Sequence, residues 1–228
     1  MTAARPNVLV FDVNETLIDI ESLAPLFGRL FGDPRVLREW FGQLVMYSMA
    51  ITLSGLHEDF FALGAGALEM LGTIRGVTVK AEDMASLEAA MQTMPPYEDV
   101  RAGLERLRDG GFRLVTLTNS PPSPTGQSPL ERAGLADVFE RRFSVAAVRA
   151  FKPSPAVYRL VTDELGVAPS SCCMVAAHVW DTIGAQSAGM SGALITRPGN
   201  APLKTPGLPQ PDWIAPDLRA LAEQMTRC

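Results

Sequence analysis

Apolar and polar positions along the chain follow two rhythms, which divide it into two parts. Residues 17–96 carry apolar side chains at three- and four-residue steps, and this block holds no run typical of a strand. From Val100 onward, short apolar runs alternate with helical patterns, which predicts βαβ units and a parallel sheet. We therefore predict an α/β core formed by residues 1–16 and 97–228, with an all-helical insertion at 17–96.

The element boundaries follow from the apolar runs and from the residues that end them. The predicted strands, in chain order, are Val8–Phe11, Phe112–Leu117, Phe143–Ala147, Cys172–Ala176 and Ala193–Thr196. The predicted helices are Ser22–Phe31, Val36–Tyr47, His57–Leu71, Lys80–Met94, Val100–Asp109, Leu130–Ala133, Ala156–Leu165, Asp181–Ala188 and Pro216–Met225. Asp33 is the expected N-cap of the second helix and His57 a surface cap of the third. The Pro- and Gly-rich segment Arg197–Pro211 is a predicted surface loop.

Composition excludes several classes of function. The net charge of -5 and pI near 5.1 provide no basic surface for nucleic acid. No apolar run reaches the roughly 20 residues that a membrane helix needs. The first strand follows Met1 too closely for a signal peptide, and the odd count of Cys172, Cys173 and Cys228 fits neither a disulfide framework nor a zinc site. We expect reduced thiols in a cytoplasmic protein.

Polar residues gather where the predicted strands end. In chain order they are Asp12, Asn14, Thr16, Thr118, Asn119, Lys152, His178 and Asp181. Taken singly, each has an ordinary structural explanation as a helix cap or a solvated side chain. The carboxyl ends of parallel strands meet at one edge of a sheet, however, and ligands of open α/β sheets bind there. The combination therefore predicts a functional site at this edge.

These stretches resemble the haloacid dehalogenase superfamily, and its type II 2-haloacid dehalogenase branch in particular. The matching segments are FDVNETLID around Asp12, LTNS around Asn119, FKPSPAVY around Lys152 and VAAHVWDTIGA around Asp181. The resemblance implies a Rossmann-like core, a helical cap at the insertion and a homodimer. It also implies a small carboxylic acid as substrate, water as second reactant and no cofactor.

The resemblance implies a role for each matching residue. Asp12 is the nucleophile that displaces a leaving group and forms an ester, which water then hydrolyses. Lys152 keeps Asp12 ionised and can steer the substrate carboxylate, and Asp181 holds Lys152 and helps to position the water. The remaining matches, which orient Asp12 or line the substrate site, are Thr16, Thr118, Asn119, Tyr158 and Trp180. Core packing explains the last two equally well.

Three positions depart from the dehalogenase pattern. Phe41 occupies the place of an arginine that holds the departing halide, and Ala176 replaces a serine. His178 replaces an asparagine, and with an ordinary pKa near neutrality it could act as a base for water or merely pack. The loss of the arginine leaves Asn119 as the halide donor. It also opens the alternative of a different leaving group, such as the ring amine of azetidine-2-carboxylate.

Two further classes stay open at this point. A magnesium-dependent phosphatase of the same superfamily would use the same aspartate, but Asn14 stands where phosphatases carry a second, acidic aspartate. An amide cannot donate that proton, and magnesium favours several carboxylate ligands, so we expect no metal site. A non-catalytic member that binds a small acid is the other alternative. The presence of Asp12, Lys152 and Asp181 together argues against it.

Overall fold

The computed structural model describes residues 5–122 and 127–227. The strands of these residues are β1 (Val8–Phe11), β2 (Arg113–Thr118), β3 (Arg141–Ser144), β4 (Cys172–Ala176), β5 (Ser191–Ile195) and β6 (Trp213–Ala215). The α-helices are α1 (Ala24–Phe31), α2 (Val36–Leu53), α3 (Phe60–Arg75), α4 (Ala81–Gln92), α5 (Val100–Asp109), α6 (Pro129–Arg132), α7 (Pro155–Leu165), α8 (Val179–Ser187) and α9 (Leu218–Thr226).

The strands form one parallel sheet in the order β3-β2-β1-β4-β5-β6. Strand β1 lies between β2 and β4, where its four residues have both faces covered and are fully buried. This burial explains the continuous apolar sequence of β1, since a parallel strand with helices on both faces has no polar side. The order reverses beside β1, and the crevice at the carboxyl ends there is the usual ligand site of such sheets. The predicted α/β fold is confirmed.

The helical insertion joins the core through two segments that pair with each other. Ile18 forms an antiparallel bridge with Pro96, and the Asp19 N–H donates to the Pro95 carbonyl at 2.8 Å. Helices α1 to α4 follow this crossing and pack by apolar faces that continue into the core of the sheet. Residues 17–96, all of them described, contain helices and isolated bridges but no strand, as expected. The division at residues 16 and 97 stays a prediction.

Several predicted boundaries were wrong. Strand β6 was missed because it has three residues and follows a run of prolines, so it shows no alternation. Strand β3 covers residues 141–144 instead of 143–147, because its two arginines lie exposed at the sheet edge and hide it from an apolar criterion. Residues 145–148 form a 3₁₀ turn instead. Helix α8 begins at Val179, so Asp181 lies in its first turn rather than at its start.

Three individual residues also differ from expectation. Asp33 does not cap α2, which begins at Val36; its carboxylate accepts from the Arg35 N–H. Asp59 caps α3, whereas His57 is half-buried with its ring stacked on Phe151. The segment 197–211 is mainly exposed, but its first residue is buried and bonded to the core.

The remaining sequence expectations concern cysteines and membranes. Cys172 and Cys173 are buried free thiols on β4, and burial raises the pKa of Cys172 to about 11. Cys228 lies outside the described residues. No described helix has both the length and the apolar character that a membrane span requires.

Candidate active site

The site is built around Asp12, which directly follows β1. Its backbone N–H donates to the Val175 carbonyl of β4, so the sheet fixes the position of the residue. The side chain is buried, and each oxygen has its own partners. Oδ1 accepts from Lys152 Nζ at 2.7 Å, and Oδ2 accepts from the Thr16 hydroxyl at 2.8 Å. Thr16 in turn accepts from the Ala177 N–H at 2.9 Å, which ties the loop after β1 to the end of β4.

Lys152 is fully buried and lies between two carboxylates. Its ammonium donates to Asp12 at 2.7 Å, to Asp181 Oδ2 at 2.6 Å and to the Leu117 carbonyl at 3.0 Å. Its three protons therefore have three acceptors. The Asn119 side-chain oxygen accepts from the Lys152 N–H and fixes the backbone of the loop before α7.

Charge separation inside the site follows from these contacts. Burial alone would raise the pKa of Asp12, but Lys152 and His178 outweigh it and hold that pKa below its usual range. Burial likewise lowers the pKa of Lys152, and the two carboxylates reverse this and raise it. The pKa of Asp181 is raised by its burial and by Asp12, against the opposing effect of Lys152. Asp12 is therefore an ionised, desolvated carboxylate.

Asp181 is held by Tyr158, and Tyr158 packs closely against Gly184. The Tyr158 hydroxyl donates to Asp181 Oδ1 at 2.7 Å, and the whole side chain is buried. Tyr158 was predicted to line the substrate site; its hydroxyl is instead occupied by Asp181. Helix α8 approaches this tyrosine so closely that a Cβ on Gly184 would lie 2.6 Å from the hydroxyl oxygen and 2.5 Å from Pro153 Cβ.

His178 lies on the other side of Asp12, at the end of β4. Its Nδ1 is 3.5 Å from Asp12 Oδ2, and its Nε2 is 2.7 Å from Glu15 Oε2. Phe41 of α2 and Trp180 pack against the ring, with centroids at 5.5 and 4.9 Å. Burial lowers the pKa of His178, but the neighbouring Asp12 and Glu15 carboxylates outweigh it and raise that pKa to about 9. The imidazole is therefore protonated at neutral pH.

Glu15 contacts His178 within the site, and the sequence analysis did not single it out. Its carboxylate is 1% exposed and contacts His178, Arg38 of α2 and Asn200 Nδ2, the last at 2.7 Å. Burial raises the pKa of Glu15, and His178 and Arg38 outweigh it and lower that pKa. The sequence did contain a signal for this contact. Glu15 follows β1 and His178 follows β4, and these two strands are neighbours in the sheet.

Asn14 and Thr118 lie beside this centre, and their described side-chain hydrogen bonds go to Ser120. The Asn14 amide donates to the Ser120 hydroxyl at 3.2 Å, and the Thr118 hydroxyl accepts from the Ser120 N–H. Both residues line a cavity of about 300 Å³, whose other walls include Phe61 and Met91 of the helical cap. Asp12 is not among the described residues that line this cavity. Apolar walls with a few polar groups are typical of small-molecule sites.

The donor set at this edge suits an ammonium ion better than a metal. In the described part of the chain, no group of three or more His, Cys, Asp and Glu side chains is arranged to hold a metal ion. The two carboxylates closest to such a position, Asp12 and Asp181, already share the Lys152 ammonium.

Comparison with known proteins agrees with this geometry. The profile of a family described as haloacid dehalogenase-like hydrolase matches residues 6–189. The chain belongs to this family. The similar proteins include an (S)-2-haloacid dehalogenase of Xanthobacter autotrophicus, 32% identical over 83% of this chain and 74% of that one. An (S)-2-haloacid dehalogenase 2 of Pseudomonas sp. strain CBS-3 is 29% identical, and the match covers 84% of each chain.

Solved structures agree with the sequence relatives. The L-2-haloacid dehalogenase from Xanthobacter autotrophicus with chloropropionic acid covalently bound has a TM-score of 0.83 and 27% identity, covering 96% of this chain and 97% of that one. This haloacid dehalogenase-like hydrolase is therefore an enzyme whose helical cap and parallel sheet match those of its relatives.

Proposed function

We propose that this hydrolase substitutes a leaving group at a carbon α to a carboxylate, with Asp12 as the nucleophile. The observation that carries the proposal is the buried Asp12 carboxylate, held by Lys152 at 2.7 Å and by Thr16 at 2.8 Å. A carboxylate is a weak nucleophile in water and becomes effective when it is desolvated and aimed. Lys152 keeps it ionised without a metal ion.

In the first step, an Asp12 oxygen attacks the substrate carbon and the leaving group departs with the bonding electrons. The product of this step is an ester between Asp12 and the substrate. The Asn119 amide, whose oxygen accepts from the Lys152 N–H, is the candidate to receive the substrate carboxylate. The neighbouring cavity lined by Asn14 and Thr118 would hold the rest of the substrate.

In the second step, water attacks the carbonyl carbon of the Asp12 ester. The Asp12 ester carries no charge, so His178 loses the Asp12 contribution that raised its pKa and releases its proton. Its Nδ1, 3.5 Å from Asp12 Oδ2, is then the proposed base, and Asp181, held by Lys152, helps to position the water. The ester oxygen leaves with the substrate as a hydroxyl group. The oxygen atom of the water therefore remains in the Asp12 carboxylate.

A 2-haloacid of (S) configuration is the proposed substrate, since the relatives are named (S)-2-haloacid dehalogenases. A specific observation favours a second candidate. Phe41, rather than a cationic side chain, packs against His178 beside the reacting carboxylate. Azetidine-2-carboxylate, whose ring amine is the leaving group, is therefore the second candidate with the same Asp12 chemistry.

The test is a single-turnover reaction in oxygen-18 water with enzyme in excess over (S)-2-chloropropionate or azetidine-2-carboxylate. Mass spectrometry of the peptide that contains Asp12 should show one oxygen-18, and Asp12→Asn should show none and release no product. Label in the product but not in the peptide would mean that water attacks the substrate directly. Magnesium-dependent phosphate release from p-nitrophenyl phosphate, without reaction of either acid, would favour the phosphatase alternative.

A further inference from the structure

We propose that His178 donates a proton to the leaving group in the first step, before it acts as the base in the second. The site would then accept carboxylates whose leaving atom must be protonated as it departs, such as the ring oxygen of an α,β-epoxy acid. This inference rests on the proposed function, because it requires Asp12 as the nucleophile.

The orientation of the imidazole is the first argument. Nε2 is committed to the buried Glu15 carboxylate at 2.7 Å. Nδ1 is buried, has no hydrogen-bond partner within the described residues, and lies 3.5 Å from Asp12 Oδ2. A buried polar atom without a partner is uncommon, and it needs an explanation. Here the unpartnered nitrogen lies beside the Asp12 carboxylate, so an atom of a substrate bound against Asp12 can accept its proton.

The commitment of the other cations is the second argument. The Lys152 ammonium has three acceptors. Arg38 is bound by Glu15, by Glu21 and by the Pro198 carbonyl. Arg197 is bound by Asp99 and by the Thr16 carbonyl. Of the cationic groups just described, Lys152 and His178 are the two that lie against the Asp12 carboxylate, and the Lys152 ammonium has no proton left for a further acceptor.

The protonation state is the third argument. The groups that face His178 are Asp12 at the end of β1, Glu15 in the following loop, and the rings of Phe41 and Trp180. Arg38 of α2 acts through Glu15. Among the described residues, two carboxylates and no cation contact the ring directly, which leaves an imidazolium in the resting enzyme, in agreement with a pKa raised to about 9. The resting group is an acid, and it must lose a proton before it can serve as a base.

The first step then balances on oxirane-2-carboxylate, the simplest α,β-epoxy acid. Asp12 forms a bond to C2, the bond from C2 to the ring oxygen breaks, and the ring oxygen takes the Nδ1 proton. The products are an Asp12 ester with a hydroxyl group and a neutral imidazole that still donates from Nε2 to Glu15. Since the ester carries no charge, the Asp12 contribution that raised the pKa of His178 is removed.

The second step restores the starting state. Neutral Nδ1 takes a proton from water as the oxygen attacks the ester, and returns it to the departing hydroxyl oxygen. The acid form of Asp12 then loses its proton to His178. The sum is epoxy acid plus water giving a 2,3-dihydroxy acid, with no other reactant.

The experiment compares ester formation from oxirane-2-carboxylate and from (S)-2-chloropropionate under single-turnover conditions, with the Asp12 ester followed by intact mass. A halide needs no proton, so the ratio of the two rates isolates the donor. We expect wild type to react with both, and His178→Asn to lower the ratio of epoxy-acid to chloro-acid rates about 100-fold or more. The epoxy-acid rate should fall above pH 9, and the chloro-acid rate should lack this limb.

Controls separate this inference from the proposed function. His57→Asn changes the only other histidine and should leave the ratio unchanged. Since the chain has two histidines, imidazole NMR of wild type, Glu15→Gln and Asp12→Asn follows the pKa of His178 without any turnover. We expect both variants to lower that pKa.

The possible outcomes distinguish failure of this inference from failure of the proposed function. Ester from the chloro acid but none from the epoxy acid, or equal slowing of both by a folded His178→Asn variant, would overturn the inference while Asp12 chemistry stands. No ester from either acid would overturn the proposed function. A His178 pKa that neither Glu15→Gln nor Asp12→Asn lowers would overturn the inference even if both acids react.

Discussion

Replacing Lys152 by methionine tests the electrostatic centre of the site. The lysine is fully buried, and its loss leaves Asp12 and Asp181 buried without the ammonium they share. Removing one partner of a buried ion pair destabilises a protein by about 3–5 kcal/mol, because an uncompensated charge remains. Methionine fills most of the same volume, so little of the effect is a cavity. We expect the free energy of unfolding of Lys152→Met to fall by that amount at pH 7.

The same variant has a characteristic pH dependence. Without Lys152, burial raises the pKa of Asp12 and of Asp181 in the folded variant above 3.8, their value in the unfolded chain. The folded variant then binds more protons than the unfolded chain, so its stability rises as pH falls from 7. In wild type the lowered pKa of Asp12 costs stability only as pH falls below the unfolded value of 3.8, so its contribution changes little in this range. The difference between the two proteins should therefore shrink between pH 7 and pH 4.5.

The assay is urea unfolding at both pH values, followed by tryptophan fluorescence. Lys204→Met is the matched control, because Lys204 is exposed and its loss should change stability by less than 0.5 kcal/mol. Adding Asp181→Asn to Lys152→Met should recover part of the loss. A decrease below about 1 kcal/mol at pH 7, or a difference that does not change with pH, would refute the electrostatic reasoning.

Three further predictions follow from single contacts. The pKa of His178 is raised from 6.5 to about 9, so the protonated imidazole stabilises the fold by roughly 3 kcal/mol below pH 6.5. This contribution is lost as pH rises through 9. Urea unfolding at pH 6.5 and 9.5 should show the loss in wild type but not in His178→Asn. Gly184→Ala should lower stability by about 1–3 kcal/mol and reduce kcat by moving Tyr158 from Asp181; thermal unfolding and steady-state kinetics check this, against Gly66→Ala, whose Cβ meets no atom within 4 Å. Thr16→Val keeps the shape but removes the hydroxyl between Asp12 and the Ala177 N–H, so the rate of Asp12 ester formation should fall while substrate KM changes little; an unchanged single-turnover rate would contradict it.

The sequence predicts the fold well where strands are buried on both faces. β1, β2 and β4 appear as apolar runs because their neighbours cover them, and their predicted ends lie within one residue of the observed ones. The edge strands β3 and β6 escape this criterion, because an edge strand is short or exposed and lacks a continuous apolar signal. Their positions are fixed by hydrogen bonds to β2 and β5, which a local pattern does not contain.

The site divides in the same way. Asp12, Lys152 and Asp181 were predicted to lie together, and both carboxylates lie within 2.7 Å of the Lys152 ammonium. The partner of His178 was not predicted, since Glu15 contacts it from a loop and is itself held by Arg38 of a cap helix. Arg197 was assigned to a surface loop, yet it is buried against Asp99 and the Thr16 carbonyl. Such contacts depend on side-chain direction, which spacing along the chain does not reveal.

The backbone of Glu15 has a φ of 67°, in the left-handed region that glycine adopts freely and other residues adopt at a penalty. A glycine there would relieve about 1 kcal/mol of strain and release the carboxylate that His178, Arg38 and Asn200 share. Removing one partner of a buried ion pair costs about 3–5 kcal/mol, so the lost contacts outweigh the relieved strain. The contacts of the carboxylate therefore hold the backbone of position 15 in its strained conformation, and Glu15→Gly should lower thermal tolerance as well as free the imidazole beside Asp12.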